Sequence, residues 1–449
     1  MTNLHQSAIF FYLLLTSTAK AFLFSAAVTR PISSSSSSTA AEISTSFITT
    51  CLSAKSTKKK KKKSGAGSGG GGGSVAAGIK GFGTMGISTT SSSSSGNKKF
   101  ETDRSAQARA FYDSLEQQGA GDNFKRCALG YFPLATSDVS LLRGVVALRD
   151  LKKGETIVRI PYEVAVNLGQ EGTDPTLPAL EILKDYCRVL GGGDGIHDNN
   201  SHRKAYYTML PPFRGDDSLG STDFFSQQAL DALQAPLVVK ETLHRRERSI
   251  RRFEQDIATD DNFPSWIDGT PVTEEHLQWA VWLITSRVLT VQGDAEEGKS
   301  YRLLIPFLDM CNHDRTSPHV LTGRAVPGGE LKVVAGANIK AGEQVNICYG
   351  GGVAGNDRFI QDYGFLDASK QAYELVAQQL LGKRRLLEGA SAGKTITEVD
   401  REATLKALRS TTMAEDAKLL ETTTDITLRT AIEFRLAVKQ ALSKQIVVQ

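Results

Sequence analysis

The chain has little of what small stapled or metal-stabilised folds need. Its five cysteines in 449 residues, Cys51, Cys127, Cys187, Cys311 and Cys348, form no C-x-x-C pair and no regular spacing. That pattern supports neither a disulfide framework nor a structural zinc cluster, and it suits a compartment with reduced thiols. Acidic residues are nearly missing from the first 99 positions: Glu42 stands alone against 12 Lys and Arg, whereas 41 Lys and Arg face 48 Asp and Glu from Phe100 onward. The body is therefore acidic although the whole chain carries +4. Such a surface argues against nucleic acid as the main partner and accommodates a basic protein substrate.

Long apolar runs are also lacking. "AIFFYLLL", Ala8 to Leu15, is too short to span a bilayer, so no stable membrane insertion is expected. It is followed by Ala19-Lys20-Ala21, the small-x-small pattern of signal-peptidase sites, and then by acid-poor serine tracts. Together they predict a signal peptide over 1–21 and a transit-like, low-complexity linker over 22–99. "AKAF" with Phe22 at the new N-terminus resembles the two-part presequences of algae with complex plastids, which implies the plastid stroma; secretion is the alternative. Lys58 to Lys63 and Gly69 to Gly73 lack the apolar content to fold and read as solvated spacer. "GFGTMG", Gly81 to Gly86, matches a dinucleotide fingerprint, but no strand precedes it and no helix follows.

The body begins near Phe100. Clustered β-branched residues on both sides of Gly154 predict two strands within Gly144 to Pro161. Helical spacing covers Ala179 to Leu190, Ser226 to Ile257 and Thr273 to Val288, with Arg287 flanking the apolar stripe of the third. Strands are expected again at Tyr301 to Phe307, Leu331 to Ala335 and Gln344 to Tyr349, and helices from Ala368 onward. Short strands, a helical insert, more short strands and terminal helices make an α+β fold in pieces, not a doubly wound sheet.

Five motifs stand in order: "RGVVALRDLKKGETIVRIP", "SRVL" at Ser286, "IPFLDMCNHD", "AGEQVNICYGG" and "DYGFLD" at Asp362. Their order and spacing resemble the SET-domain methyltransferases, in the branch typified by the plant Rubisco large-subunit lysine methyltransferase and related actin-histidine and other non-histone enzymes. "YTMLPPF", Tyr207 to Phe213, is similar to that branch's insert. The resemblance implies a SET domain over about 100–368, interrupted by a helical insert over about 165–295, and a C-terminal helical lobe over 369–449 that docks substrate. It implies S-adenosylmethionine as cofactor and a protein lysine as acceptor. Carried over, Ile305 to Leu308 is a strand that delivers Asn312 and His313 to the cofactor, within the SET pseudoknot. Leu141, Leu142 and Arg143 correspond to the first cofactor loop, and Arg287 lies between cofactor and substrate. Asp309, Tyr349 and Tyr363 face the substrate channel, with Tyr349 as the catalytic residue.

The chemistry suits these residue types. In-line methyl transfer to nitrogen needs a neutral amine about 3 to 3.5 Å from the methyl carbon, and neither metal nor covalent intermediate. A lysine of solution pKa about 10.4 must first lose its proton, which an apolar channel near a cation promotes. Tyrosine rings line such a channel while their hydroxyls orient the amine, and Tyr349 is the candidate for steering it or relaying its proton. Taken singly, His313 reads as a hydrogen-bonded core histidine, Asn312 as a turn residue, Tyr349 and Tyr363 as core aromatics, Arg287 as a surface ion-pair partner and Asp309 as a strand-end cap. Cys311 and Cys348 read as packing residues. Two departures stand out. Leu141-Leu142-Arg143-Gly144 keeps only the last glycine of the branch's Glu-Gly-x-Gly loop, and Val291 replaces its second arginine, which argues against Rubisco itself as substrate. The altered loop leaves a catalytically silent SET-like binding module as one alternative, and a histidine acceptor as another. Oligomeric state is not legible.

Overall fold

The computed structural model describes residues 101–134, 137–191, 201–213, 221–382 and 397–447. The expected signal peptide and linker, with the Gly81 to Gly86 fingerprint, lie outside the described residues. The elements run in the order β1 (Glu101–Thr102), α1 (Ala106–Leu115), β2 (Cys127–Leu134), β3 (Ser137–Ala147), β4 (Thr156–Pro161), β5 (Val166–Gln170), α2 (Thr176–Leu190), α3 (Ser201–Tyr207), α4 (Gln227–Ala232), α5 (Pro236–Asp256) and α6 (Glu274–Arg287). They continue with β6 (Leu289–Gln292), β7 (Ser300–Leu304), β8 (Asn312–His313), β9 (Val320–Thr322), β10 (Glu330–Val334), β11 (Gln344–Ile347), α7 (Lys370–Leu380), α8 (Glu398–Leu408), α9 (Met413–Thr422) and α10 (Ile426–Val447).

Among the described residues three small sheets form: β1-β2-β3-β11-β8, β4-β10-β9 and β5-β7-β6. The two strands around Gly154 are present but belong to different sheets. β3 continues an antiparallel pair with β2, while β4 pairs with β10, Ile160 opposite Leu331. Gly154 makes the turn between them with φ +87°, a left-handed conformation that glycine adopts without Cβ strain. The insert begins and ends in strand: β5 and β6 flank β7, so 166–170 and 289–292 anchor its helices to the sheet layer.

Four sequence expectations are corrected. Ser226 to Ile257 is two helices, because Gln234 takes φ +51° and breaks the run before Pro236, a residue that can start a helix but not continue one. α6 has no single apolar stripe; Trp279, Ala280, Val281, Trp282, Leu283 and Ile284 are all buried, so the helix is enclosed, packed against α2, α5 and the turn at Phe359–Tyr363. Ile305 to Leu308 is not a strand. β7 stops at Leu304, Pro306 has no N–H for a ladder, Phe307 turns back with φ +68°, and Leu308–Met310 is a 3-10 turn. Likewise β11 ends at Ile347, and Tyr349 opens a turn of three consecutive left-handed glycines, Gly350, Gly351 and Gly352.

Two apolar cores result among the described residues. One joins the sheets, α1, α2, α3 and α6. The other is shared: Phe225, Leu230, Leu233 and Val238 from the insert pack with Val376, Leu380, Leu408, Ala431, Phe434 and Val438 of the terminal helices, and with Ile360.

Candidate active site

The reversal at Phe307 builds the site. A bulky residue in the left-handed region costs about 1–3 kcal/mol, and Phe307 is fully buried with its ring edge-on to Phe124 at 5.5 Å, a burial that offsets the strain. The turn swings Asp309 inward and lets the chain emerge as β8, which pairs in parallel with β11: Asn312 opposite Asn346, and His313 opposite Ile347. Residues 312–313 and 346–347 are thus joined side by side.

Asn312 and His313 do different work. The Asn312 amide donates to the Arg143 carbonyl at 3.1 Å, while its Oδ1 is buried with no hydrogen-bond partner among the described residues. Gly144, next along β3, makes room for that amide: a Cβ there would stand 2.5 Å from Asn312 Nδ2 and 2.6 Å from Gln344 Nε2. The His313 ring fixes its neighbours. Tyr349 N–H donates to His313 Nδ1 at 3.0 Å, so Nδ1 is the acceptor and the ring proton sits on Nε2, facing Asp367 Oδ2 at 3.4 Å.

Asp367 accepts from Arg315 Nε at 2.5 Å and from Ser369, and Asn356 bridges its backbone on both sides. Burial would raise its carboxyl, but His313, the Ser369 N–H and Arg315 hold it well below the usual carboxylate range. Arg315 also donates to the carbonyls of Gly352 and Ala354, 2.7 Å each, which clamps the glycine turn after Tyr349.

The tyrosine hydroxyl of Tyr349 donates to the Cys311 carbonyl at 2.7 Å, and its ring lies 5.4 Å from that of Tyr363. Burial pushes the phenol well above its ordinary value, so it is protonated at neutral pH. Arg287, fully buried, places Nη1 3.2 Å from the Asp309 carbonyl and 3.3 Å from its Oδ2. Asp309 is buried too; desolvation raises its carboxyl against the pull of Arg287, and its Oδ1 has no partner among the described residues. Arg143 joins this group. Its guanidinium donates to the Met209 carbonyl, and desolvation, then the charge of Arg287, lowers its pKa.

The structure therefore brings Arg143, Arg287, Asp309, Asn312, His313, Tyr349 and Tyr363 together. Leu141 and Leu142 are not in a loop; they lie in β3, opposite Pro133 and Phe132 of β2. The two cysteines have no nucleophilic setting: burial raises the thiol of Cys311 well above its usual value and that of Cys348 less. Sequence reasoning missed Tyr206, whose hydroxyl donates to Asp309 Oδ2 at 2.6 Å from 103 residues away. Its one signal was its place beside the Tyr207 to Phe213 motif. Arg315 and Asp367 were missed as well, although each lies within a quoted or adjoining motif. Among the described residues no cluster of His, Cys, Asp and Glu could hold a metal ion, and no helix is long and apolar enough to cross a membrane.

Comparison with known proteins bears on the fold. A SET domain family model matches residues 142–350. The chain is 24% identical over 269 residues to the chloroplastic ribulose-1,5 bisphosphate carboxylase/oxygenase large subunit N-methyltransferase of Pisum sativum, covering 55% of this chain and 50% of that protein. It is 25% identical over 248 residues to the chloroplastic [fructose-bisphosphate aldolase]-lysine N-methyltransferase of Arabidopsis thaliana, covering 52% and 48%. It is 29% identical over 235 residues to the actin-histidine N-methyltransferase of Gallus gallus, covering 49% and 37%. The chain thus spans about half or less of the length of these relatives. Among solved structures, the SET domain of LSMT bound to lysine and AdoHcy matches with a TM-score of 0.51 at 19% identity, covering 76% of this chain and 90% of that one. That likeness shows the shared fold.

Proposed function

We propose, for a chain that carries a SET domain over residues 142–350, that it is an S-adenosylmethionine-dependent protein methyltransferase acting on a lysine of a non-histone plastid protein. The reading rests on one observation above others: the buried Oδ1 of Asn312, without a partner among the described residues, on a side chain whose amide fills the space that Gly144 leaves, one strand from Tyr349. An orphaned acceptor in a low-dielectric site costs about 1–3 kcal/mol unless a ligand satisfies it. An ammonium-bearing cofactor would do so, and the residues present fit it. Asn312, His313, Leu142, Arg143 and Arg287 would hold it, with Leu141 contributing backbone only, because a leucine cannot replace an acidic contact. When bound, the cofactor supplies a methyl group on a cationic sulfur.

The chain's own residues do the rest. Tyr349 and Tyr363 wall the channel and exclude water. Burial between the two rings disfavours an ammonium there, so the acceptor enters as a neutral amine. Tyr349, held as a phenol, positions that amine for in-line attack through hydrogen bonding and not as a phenolate base. Relatives named for lysine and for histidine both match, and the one named for lysine and the Rubisco large-subunit enzyme are chloroplastic. Those names, with the presequence pattern, support lysine and plastid over histidine and secretion. The lost acidic loop residue keeps the silent binding module as the competing reading.

Transfer of labelled methyl from S-adenosylmethionine to a plastid extract, followed by mass spectrometry of the labelled band, tests the proposal. Methyl-lysine in a plastid protein is expected; methyl-histidine would move the acceptor. No label from protein that binds the cofactor would contradict the enzyme reading.

A further inference from the structure

Tyr363 is the last residue of a wide helical turn, Phe359–Tyr363, that closes on left-handed Gly364 with φ +83°. Turns of this π type are less stable than an α-helix and are found often at functional sites. Something outside must hold this one. Arg245, on α5 of the insert, is buried and spends all three guanidinium nitrogens on polar partners. Nε meets the buried Asp223 at 2.7 Å, Nη1 meets Asp362 at 2.9 Å, and Nη2 donates to the Gln361 carbonyl at 2.6 Å. The last two partners are the residues immediately before Tyr363. A second arm runs beside it: Arg358 meets Glu241, one helical turn before Arg245, at 3.1 Å and the Gln361 side chain at 3.1 Å. From α6, Thr285 donates to the Asp362 carbonyl at 3.4 Å.

We propose that Arg245 is a positioning residue for the channel: the insert, through this fork, sets where the Tyr363 ring stands against Tyr349. This deepens the methyltransferase reading and rests on it. The fork geometry matters, because a guanidinium can serve a carboxylate and a carbonyl at once in fixed directions, whereas an ammonium is a point charge. Tyr363 borders the space that an acceptor and its methyl groups must share. Loosening the fork therefore widens that space, and the enzyme should make errors in methyl number as well as lose rate.

Arg245→Ala would leave Asp223 buried without its cation and could fail to fold. Three milder variants keep the inference testable. Asp362→Ala removes one arm at a side chain that is 25% exposed, and Asp362→Asn keeps an acceptor for Nη1. Arg245→Lys preserves charge beside Asp223 but cannot span all three partners. Hydrogen exchange should speed up across 359–365 in Asp362→Ala and Arg245→Lys, leave β11 protected, and stay near wild type in Asp362→Asn. With cofactor Kd unchanged, kcat should fall about tenfold in the two impaired variants, with a shifted ratio of methylation states, and recover in Asp362→Asn. Unchanged exchange, or faster exchange with unaltered kcat and methyl ratio, overturns the inference. Absence of methyl transfer by the wild type would instead overturn the function on which it rests, while the exchange arm still decides whether Arg245 holds the turn.

Discussion

At the scale of single residues, the site depends on a few atoms whose alternatives are sterically or electrostatically closed. Gly144→Ala would collide with the flexible ends of Asn312 and Gln344 and press on the Phe132 ring at 3.3 Å, so the fold should persist with a loss of about 1 kcal/mol while Asn312 leaves its place. Cofactor affinity should drop about tenfold, read by calorimetry alongside a melting curve. Tyr349→Phe removes the hydroxyl that meets Cys311 and keeps the ring. Its kcat should fall at least about 100-fold with near-normal cofactor Kd; equal turnover at saturating substrates would remove Tyr349 from the chemistry. Most of these residues were legible because they occur in ordered motifs. Tyr206 was not, since nothing local marks a tyrosine whose partner lies 103 residues away.

At the scale of elements, the sequence was read best where periodicity is local and worst where a turn is decided by packing. β10 and β11 were found within one or two residues. "IPF" looked like strand because its residues are apolar, yet Pro306 already argued for an end to the ladder, and only burial of Phe307 makes the left-handed turn tolerable. Strand partners were illegible, because β8 meets β11 and β4 meets β10 across long separations. The element most dependent on charge is the His313 strand with its Asp367 anchor. A carboxylate held below its unfolded pKa of about 3.8 contributes stability above that value and loses it as pH falls through the lower, folded pKa. Asp367→Asn should therefore cost about 3–5 kcal/mol at neutral pH. Its deficit relative to wild type should narrow in denaturant titrations run below pH about 3.8. A pH-independent deficit would mean that packing, not charge, is what the substitution removes.

At the scale of the whole molecule, the terminal helices cannot be treated as a detachable docking lobe without cost. Ile360 and the insert residues Phe225, Leu230, Leu233 and Val238 are buried in the core that those helices complete. Buried Asp416, Arg435 and Lys439 add a second fastening, with Arg435 donating to the Ala232 carbonyl of α4 at 3.0 Å. Truncation after Ala368 would uncover five or more large apolar side chains, each worth about 1.5–3 kcal/mol of burial. The truncated protein should aggregate or lose its cooperative melt; a soluble, cofactor-binding truncation would show that the lobe serves docking alone. The measurement that bears most directly on the central claim needs no knowledge of the acceptor. Isothermal titration of the full chain with S-adenosylmethionine should show saturable one-to-one binding, weakened about tenfold or more in Asn312→Ala. No binding by folded wild-type protein would contradict the enzyme and leave a SET fold used for something else.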